Sequence, residues 1–516
     1  MNNVSQDWIE KFQDTILPET FVEISCNYGD STAEKSAEVS GLNEAYFGTS
    51  EYLMVDKRGM HSHGATLEPN FWTFGTFALF PDTYSGDENA RGVYVSEEDT
   101  GGIVIRFPEV VTTTIPGITI TWGKEYDEYA TQFTVTVKNG ATEVANIVVN
   151  DNRSVISQVD ADLTGYDSIK ISVTGWSIPN HRVRIQQVQL GHIVVFGKSD
   201  ILSFSHEESG DINSGELPRR RIEFGINNVN KRWNPYNPSG DTKYLAEKQK
   251  VVVRYGMDIN GSVEWITGGT FYLSEWKIPA NGIEARFVAT DAFEQLSNTE
   301  TTSYTIGEYG VSDFISLWLD ELKHTEGVDI PDDFLILYNG DPNVTVNIPY
   351  REQGYSAGEV LQLIANSACC VIDVDSSNVF HIEPLETPSI VEYFVTLDLA
   401  YSYPELELTK PLKKVSVRID DENTFVLDVA STGEVLTVDN PLIVSEEDAS
   451  RVANWIAGNV SGRKIIRGEY RADPRLHLFD VIWVWLSEND LRQVLVTNIK
   501  YSYTGSFYGT YEGYLL

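Results

Sequence analysis

The sequence predicts a mainly β protein with α+β parts, and three observations predict it. Apolar and polar residues alternate with period two over many short runs. Turn-forming pairs stand between those runs, at Asn139-Gly140, Asn260-Gly261 and Asn281-Gly282. Aromatic residues reach 11% and Gly totals 39, a mix that suits strands and turns better than helical bundles.

Taken in chain order, residues 5–13 suit a short amphipathic helix. Phe21–Ile24 reads as a strand expected to pair with Ile201–Phe204, which makes the chain between them an insertion. Inside it, Ile118, Ile120 and Trp122 alternate with Thr119 and Thr121. Phe133, Val135 and Val137 alternate with Thr134, Thr136 and Lys138, and Ile169, Ile171 and Val173 repeat the pattern. Each run turns one face to a core, and short strands with few helical signals suit an antiparallel β-sandwich of jelly-roll type. Asn139 and Gly140 both tolerate positive φ and favour a two-residue hairpin. Val183 and Ile185 face the same way as Val188 and Leu190, so an extra residue, a β-bulge, is expected at Gln186-Gln187.

Helices are few. Ser312–His324 carries Phe314, Ile315, Trp318, Leu319 and Leu322 on one stripe. Ser356 and Glu359 form a capping box ahead of Val360, Leu361, Leu363 and Ile364. Ser445–Asn459 places Val452, Trp455 and Ile456 on a buried side, and a hairpin is expected around Asp375–Asn378. The resulting division is an N-terminal helical segment (1–17), a discontinuous β domain (18–61 and 192–300), the inserted sandwich (62–191), an α+β spacer (301–398), and a second β domain (399–516) with a helix near 445–459. No periodic repeat is visible.

The 516 residues carry 38 Lys and Arg against 76 Asp and Glu, a net charge of −38. That balance disfavours wrapping by nucleic acid and adhesion to anionic membranes. Cys26, Cys369 and Cys370 have neither zinc-ligand spacing nor the number a disulfide framework needs. No apolar run reaches the roughly 18 residues of a membrane span, and the polar start is not expected to be a secretory signal.

Catalytic motifs are missing: there is no G-x-S-x-G elbow, H-E-x-x-H helix, P-loop or dinucleotide fingerprint. His61 and His63 would share a strand face and could hold a metal given a third ligand, but no residue at fixed spacing supplies one. Glu97–Asp99 and Glu446–Asp448 resemble acid–base pairs, yet the second trio is better explained as negative charge at a helix start. Cys369 and Cys370 close an apolar helix and read as core residues. No catalytic residue, metal or cofactor is expected. Trp72, Trp176, Tyr126 and Tyr129 are the candidates for stacking on sugar rings, with Tyr126 and Tyr129 in an acidic loop and Trp72, like Trp122, also readable as core. Arg219, Arg220 and Arg221 form the compact basic run and are expected to pair with carboxylates on a neighbouring strand or subunit.

An ordered series of segments resembles a known family. Ile201–His206, Glu216–Pro218, Ile222–Phe224 and Asn227-Asn228 lead into Arg232–Gly240, Val252–Gly256 and Trp265–Trp276. Leu361–Asp375, Asp473–Val481 and Gly509–Gly513 follow. From about Phe21 onward the series resembles the baseplate hub, or tail-associated tail-tip, proteins of tailed bacteriophages, particularly of phages and prophages of gut Firmicutes. Ile115–Trp122 and Val183–Gly191 resemble carbohydrate-binding-like jelly rolls inserted in such proteins. Phe479 departs from the pattern, standing where glycine is expected before Asp480-Val481. The resemblance implies tube-like β-barrel hub domains, two per subunit, which three subunits assemble into a ring continuing the tail tube. It implies a homotrimer in the virion baseplate, made in the bacterial cytoplasm, with the tail tube, distal tail, tape-measure, and baseplate or tail-fibre proteins as partners and DNA passing without specific binding. It leaves a host-glycan-binding adhesin, or receptor-binding tail protein, as the alternative. A cell-wall hydrolase extension is not expected, and a contractile injection particle would use the same hub. Carboxylates along a channel would repel DNA phosphates; general solubility is the competing account of the acidity.

Overall fold

The protein is mainly β. The computed structural model describes residues 4–14, 18–42, 65–66, 102–123, 127–178, 183–185, 187–237, 240–279, 282–297, 300–301, 307–324, 335–348, 355–376, 379–385, 393–408, 410–460 and 464–516. The chain forms two compact units: Met1–Ser25 with Val195–Asn234 and Val251–Leu516, and Cys26–Val194 with Pro235–Lys250.

The second unit contains an antiparallel pair of sheets around one core. One sheet runs Glu38–Leu42, Gly102–Val111, Tyr166–Trp176, Ala130–Asn139 and Thr142–Val149; the other runs Gln187–Leu190, Ile115–Thr121 and Ile156–Leu163. The alternation places Ile118, Ile120, Trp122, Phe133, Val135, Val137, Ile169, Ile171 and Val173 inward, and all are buried in the same cluster. Each such side chain contributes about 1.5–3 kcal/mol relative to exposure. The Trp122 indole N–H donates to Ser157 Oγ at 2.7 Å, so the ring is buried without an orphaned donor.

Several expectations change here. Glu38–Leu42, placed outside the sandwich by the 62–191 boundary, pairs with Gly102–Arg106 and completes its sheet. Pro235–Lys250, assigned to the first β domain, clusters with the sandwich unit, where Lys243 meets Asp162 at 2.6 Å. Val183, Ile185, Val188 and Leu190 are all buried, but no single bulged ladder aligns them. Arg184-Ile185 pairs with Ala65-Thr66 and Gln187–Leu190 with Ile118–Thr121, so the chain changes partner, and residue 186 lies outside the described residues. At the first hairpin Gly140 alone takes positive φ (57°), while Asn139 stays in the strand opposite Thr142. At the second, Asn260 (56°) and Gly261 (89°) both do, as a type I′ turn requires.

The first unit is organised on one large sheet. Its main path is Ile193–Phe196, Thr20–Asn27, Lys250–Ile259, Ser262–Lys277, Glu284–Thr290, Arg219–Asn227, Ile201–Ser209, Asp490–Tyr503, Phe507–Leu515, Ile465–Tyr470 and Glu405–Glu407, and Val481–Ser487 with Phe394–Val395 branches from Asp490–Tyr503. The expected pairing of Phe21–Ile24 with Ile201–Phe204 is therefore wrong. Both edges of Thr20–Asn27 are taken by Ile193–Phe196 and Lys250–Ile259, and those of Ile201–Ser209 by Arg219–Asn227 and Asp490–Tyr503. The strand leading into the insertion and the strand leading out are still sheet neighbours. The Ile201–Ser209 pairing with Asp490–Tyr503 joins the two β regions of the chain into one surface, with Phe204 opposite Tyr503 and His206 opposite Tyr501.

The helices follow the apolar stripes. Gln6–Gln13 is capped by Ser5 and buries Trp8 and Phe12. Val311–His324 buries Phe314, Ile315, Trp318 and Leu322. Ala357–Ser367 opens on the Ser356–Glu359 capping box, with both reciprocal bonds formed. Glu446–Val460 buries Val452 and Ile456, with Trp455 half-buried against the same cluster. Val371–Val374 and Val379–Glu383 pair antiparallel, and residues 377–378 of the expected hairpin between them lie outside the described residues. The second β region divides: Leu412–Arg418, Thr424–Asp428 and Glu434–Asp439 form a small sheet against the Glu446–Val460 helix, while the strands from Ile465 onward join the large sheet.

Candidate functional site

Of the four aromatic sugar-stacking candidates, Trp72 and Tyr126 lie outside the described residues. Trp176 is buried edge-on against Trp122 (centroids 6.0 Å apart, 81° between planes), and its indole N–H donates to buried Glu128 at 2.9 Å. Its ring face is not free to stack on a sugar, which corrects that expectation. Tyr129 is half-buried against the sandwich core. His61, His63 and Glu97–Asp99 are likewise outside the described residues. Among the described residues no group of three or more His, Cys, Asp or Glu is placed to hold a metal ion, and no helix is long and apolar enough to cross a membrane. Cys370 is buried and Cys369 half-buried; burial pushes the two thiols up, to about 12 and about 11, away from thiolate chemistry.

The basic run resolves into two environments. Arg219, Arg220 and Arg221 start the Arg219–Asn227 strand, and its antiparallel register sets Arg220 opposite Glu208 and Arg221 opposite Glu207. Residues of a strand alternate between faces, so Arg220 enters the core while Arg219 and Arg221 stay exposed. Arg220 donates to Glu208 Oε1 from Nε at 3.0 Å and Nη2 at 2.8 Å, and from Nη1 to the Val374 carbonyl at 3.2 Å. His206, two residues along on the same face, places Nε2 3.1 Å from Glu208 Oε1, poorly angled for a hydrogen bond, while Nδ1 meets Tyr255 Oη at 2.6 Å. His477 Nδ1 approaches the same carboxylate oxygen at 3.7 Å.

This cluster brings together residues from both β regions and the α+β region. Burial pushes the Glu208 carboxyl up, but the Arg220 guanidinium overcomes it and holds it well below the usual range. Burial also keeps His206 low, so its imidazole stays neutral. Asp291 is 2% exposed; burial raises its carboxyl to about 7 against the pull of Arg220. Glu208 and Arg220 neutralise each other out of water, and their shared role is to lock three sequence-distant segments together. The arginine run announced a carboxylate pairing; nothing in it distinguished the one buried arginine from its two exposed neighbours except strand parity.

The main path of the large sheet ends in two strands with one open side each, and a side branch through Val481–Ser487 ends in Phe394–Val395. Ile193–Phe196 stands at one end and Glu405–Glu407 at the other. At the second end apolar and aromatic side chains are exposed: Tyr403 is 59% and Leu408 72% exposed, beside Leu406 and a stacked Tyr401–Tyr508 pair (5.3 Å, 22°). At the first end Val195 is exposed. Sequence periodicity hides these edges, since an edge strand has the same alternation as a central one.

No family model matches the chain, and no curated protein does. Several solved structures are similar to it. The 43 kDa tail protein of prophage MuSo2 from Shewanella oneidensis is 12% identical over 62% of this chain and 94% of that one, with a TM-score of 0.41. The tail protein from Neisseria meningitidis MC58 is 10% identical over 62% and 93%, with a TM-score of 0.43. Prophage tail protein gp18 from Listeria monocytogenes EGD-e is 10% identical over 62% and 91%, with a TM-score of 0.38.

Proposed function

We propose that this chain is a structural virion protein, a homotrimeric baseplate hub at the tip of a phage tail tube. The observation that carries the reading is the large sheet. It joins strands from residues 20–27 and 193–290 to strands from residues 405–515 in one surface and leaves an open edge at each end of its main path. An open edge is a template for another strand; at one end the terminal strand is short, with Glu405 and Glu407 exposed beside the exposed Leu406 and Leu408. Joining one end to the opposite end of a second copy is a heterologous contact, which closes into a ring when the rotation allows. Three copies would then present six β regions around a channel, as the ordered sequence series implies for hub proteins. Their partners would be the tail tube and neighbouring baseplate proteins. The chain's net charge of −38 would keep passing DNA from adhering to the wall. The glycan-binding alternative is left with Tyr129 among the described candidates and gains nothing from the buried Trp176.

Light scattering on the purified full chain tests the reading. Three times the 57.9 kDa chain mass is expected, with ring-shaped particles by electron microscopy. A chain that stays monomeric at all accessible concentrations would refute the ring.

A further inference from the structure

A cleft of about 1170 Å³ opens beside the buried cluster, within the first unit. We propose that this cleft receives a lysine or arginine side chain from a basic polypeptide segment, with the Asp291 carboxylate as its charge partner. The inference concerns a single chain and does not depend on ring formation.

Asp291 provides the first argument. It lines the cleft, is 2% exposed, and its Oδ2 has no hydrogen-bond partner. Its Oδ1 is engaged, accepting from the backbone N–H groups of Phe293 at 3.1 Å and Glu294 at 3.4 Å. A buried polar oxygen without a donor costs about 1–3 kcal/mol, more when charged, which a bound donor would remove.

Charge provides the second. Six carboxylates line the cleft, Glu207, Glu216, Glu275, Asp291, Glu294 and Glu359, against three guanidiniums. Arg220 is already neutralised by Glu208, and Arg221 leans on Glu223 at 3.8 Å. Of the carboxylates, Glu207 faces Lys500 at 3.6 Å and Glu275 faces Lys277 at 3.9 Å. The others, Glu216, Asp291, Glu294 and Glu359, outnumber Arg219, a negative excess that selects a cation. Size provides the third. Pockets for drug-sized ligands measure about 300–1,000 Å³, so this cleft has room for a segment of chain around the inserted side chain.

Binding should be linked to protons. A cation seats best against an ionised carboxylate, and burial leaves Asp291 partly protonated near neutrality. Association therefore expels a proton and strengthens as pH rises through the neutral range.

The probe is end-capped tetralysine, titrated calorimetrically at low salt into the full-length protein. Saturable binding is expected, severalfold tighter at pH 8 than at pH 6, with proton release. Asp291→Asn should weaken it at least tenfold and abolish the proton release; the Asn side-chain oxygen can keep both cap bonds, and a thermal melt verifies folding. Glu216→Gln, at an exposed position, should weaken binding while leaving proton release intact. Glu446→Gln, on a helix that does not line the cleft, should change nothing. The proposal fails if wild type does not bind, if tetraglutamate binds instead, or if Asp291→Asn and Glu216→Gln both bind like wild type, since attraction would then reflect only the overall acidity.

Discussion

Gly210 lies against the ring of Phe479: a Cβ added to Gly210 would sit 2.7 Å from Phe479 Cζ. Both residues are tied to the same strand, with the Gly210 N–H donating to Thr497 O at 2.9 Å and the Phe479 N–H to Val496 O at 2.8 Å. Phe479 holds φ at 60°, a left-handed conformation that costs a non-glycine residue about 1–2 kcal/mol. That geometry accounts for the glycine expected there by family resemblance. The phenylalanine is retained with a packing role, joining Ile212, Val481 and Leu495 in a small apolar cluster.

The pair predicts a coupled mutant cycle. Gly210→Ala should destabilise by about 1–3 kcal/mol, because the ring must move out of a packed position. Phe479→Gly relieves the backbone but loses the ring contacts. In the double variant the methyl meets no ring, so its cost should nearly vanish. Denaturant unfolding of the four proteins measures this, and strictly additive values would show that the contact carries no energy.

The buried ion pair predicts a different asymmetry. Removing one member, as in Arg220→Met, strands the Glu208 charge out of water and should cost about 3–5 kcal/mol. Replacing both, with Glu208→Leu and Arg220→Met, should cost less than Arg220→Met alone. His206 then faces no carboxylate and, already neutral, tolerates that. A double variant worse than either single one would show that the pair supplies net stability.

The same cluster sets a stability optimum. Burial raises Asp291 and Asp373 from 3.8 to about 7, so the folded state holds their protons more tightly than the unfolded chain. Their contributions are full below pH 4 or so and are lost as pH rises to about 7. Glu208 and His206 are both lowered, and their contributions are lost as pH falls. The folded state should therefore be most stable in mildly acid solution. Asp291→Asn should make the decline between about pH 4 and pH 7 shallower, leaving the share that comes from Asp373. Chemical denaturation across that range decides it; an unchanged slope would remove Asp291 from the balance.

Period-two alternation was enough to place the inward faces of the sandwich, because Ile120 and Val135 bury their side chains whichever strands lie beside them. Helix starts were legible for the same local reason: Ser356 and Glu359 satisfy each other's backbone groups within one turn. Strand partners were not. Phe21–Ile24 has a pattern compatible with many neighbours, and its true ones, 193–196 and 250–259, are decided by which edges remain free after the sheet assembles. The Asp291 site was equally hidden. Its carboxylate matters because a neighbouring donor is missing, and no spacing in the chain records a missing partner.

The open edge predicts how assembly can be broken. Tyr403, Leu406 and Leu408 are exposed around the terminal strand Glu405–Glu407, whose outer backbone groups face no further strand in the sheet. Charge on an edge strand opposes pairing with another chain. The double substitution Leu406→Lys and Leu408→Lys changes no buried contact of this chain, so the monomer fold should persist with unchanged circular dichroism. Under the ring reading the substitution should reduce the light-scattering mass from three chains to one. It should also remove the dependence of the melting temperature on protein concentration, because a folded state held by association is stabilised by mass action. Val148→Lys, at an equally exposed apolar position in the sandwich, is the control and should leave the mass unchanged. If the edge substitutions leave a trimer intact while Val148→Lys dissolves it, the subunits join through the sandwich and the open edge has another partner.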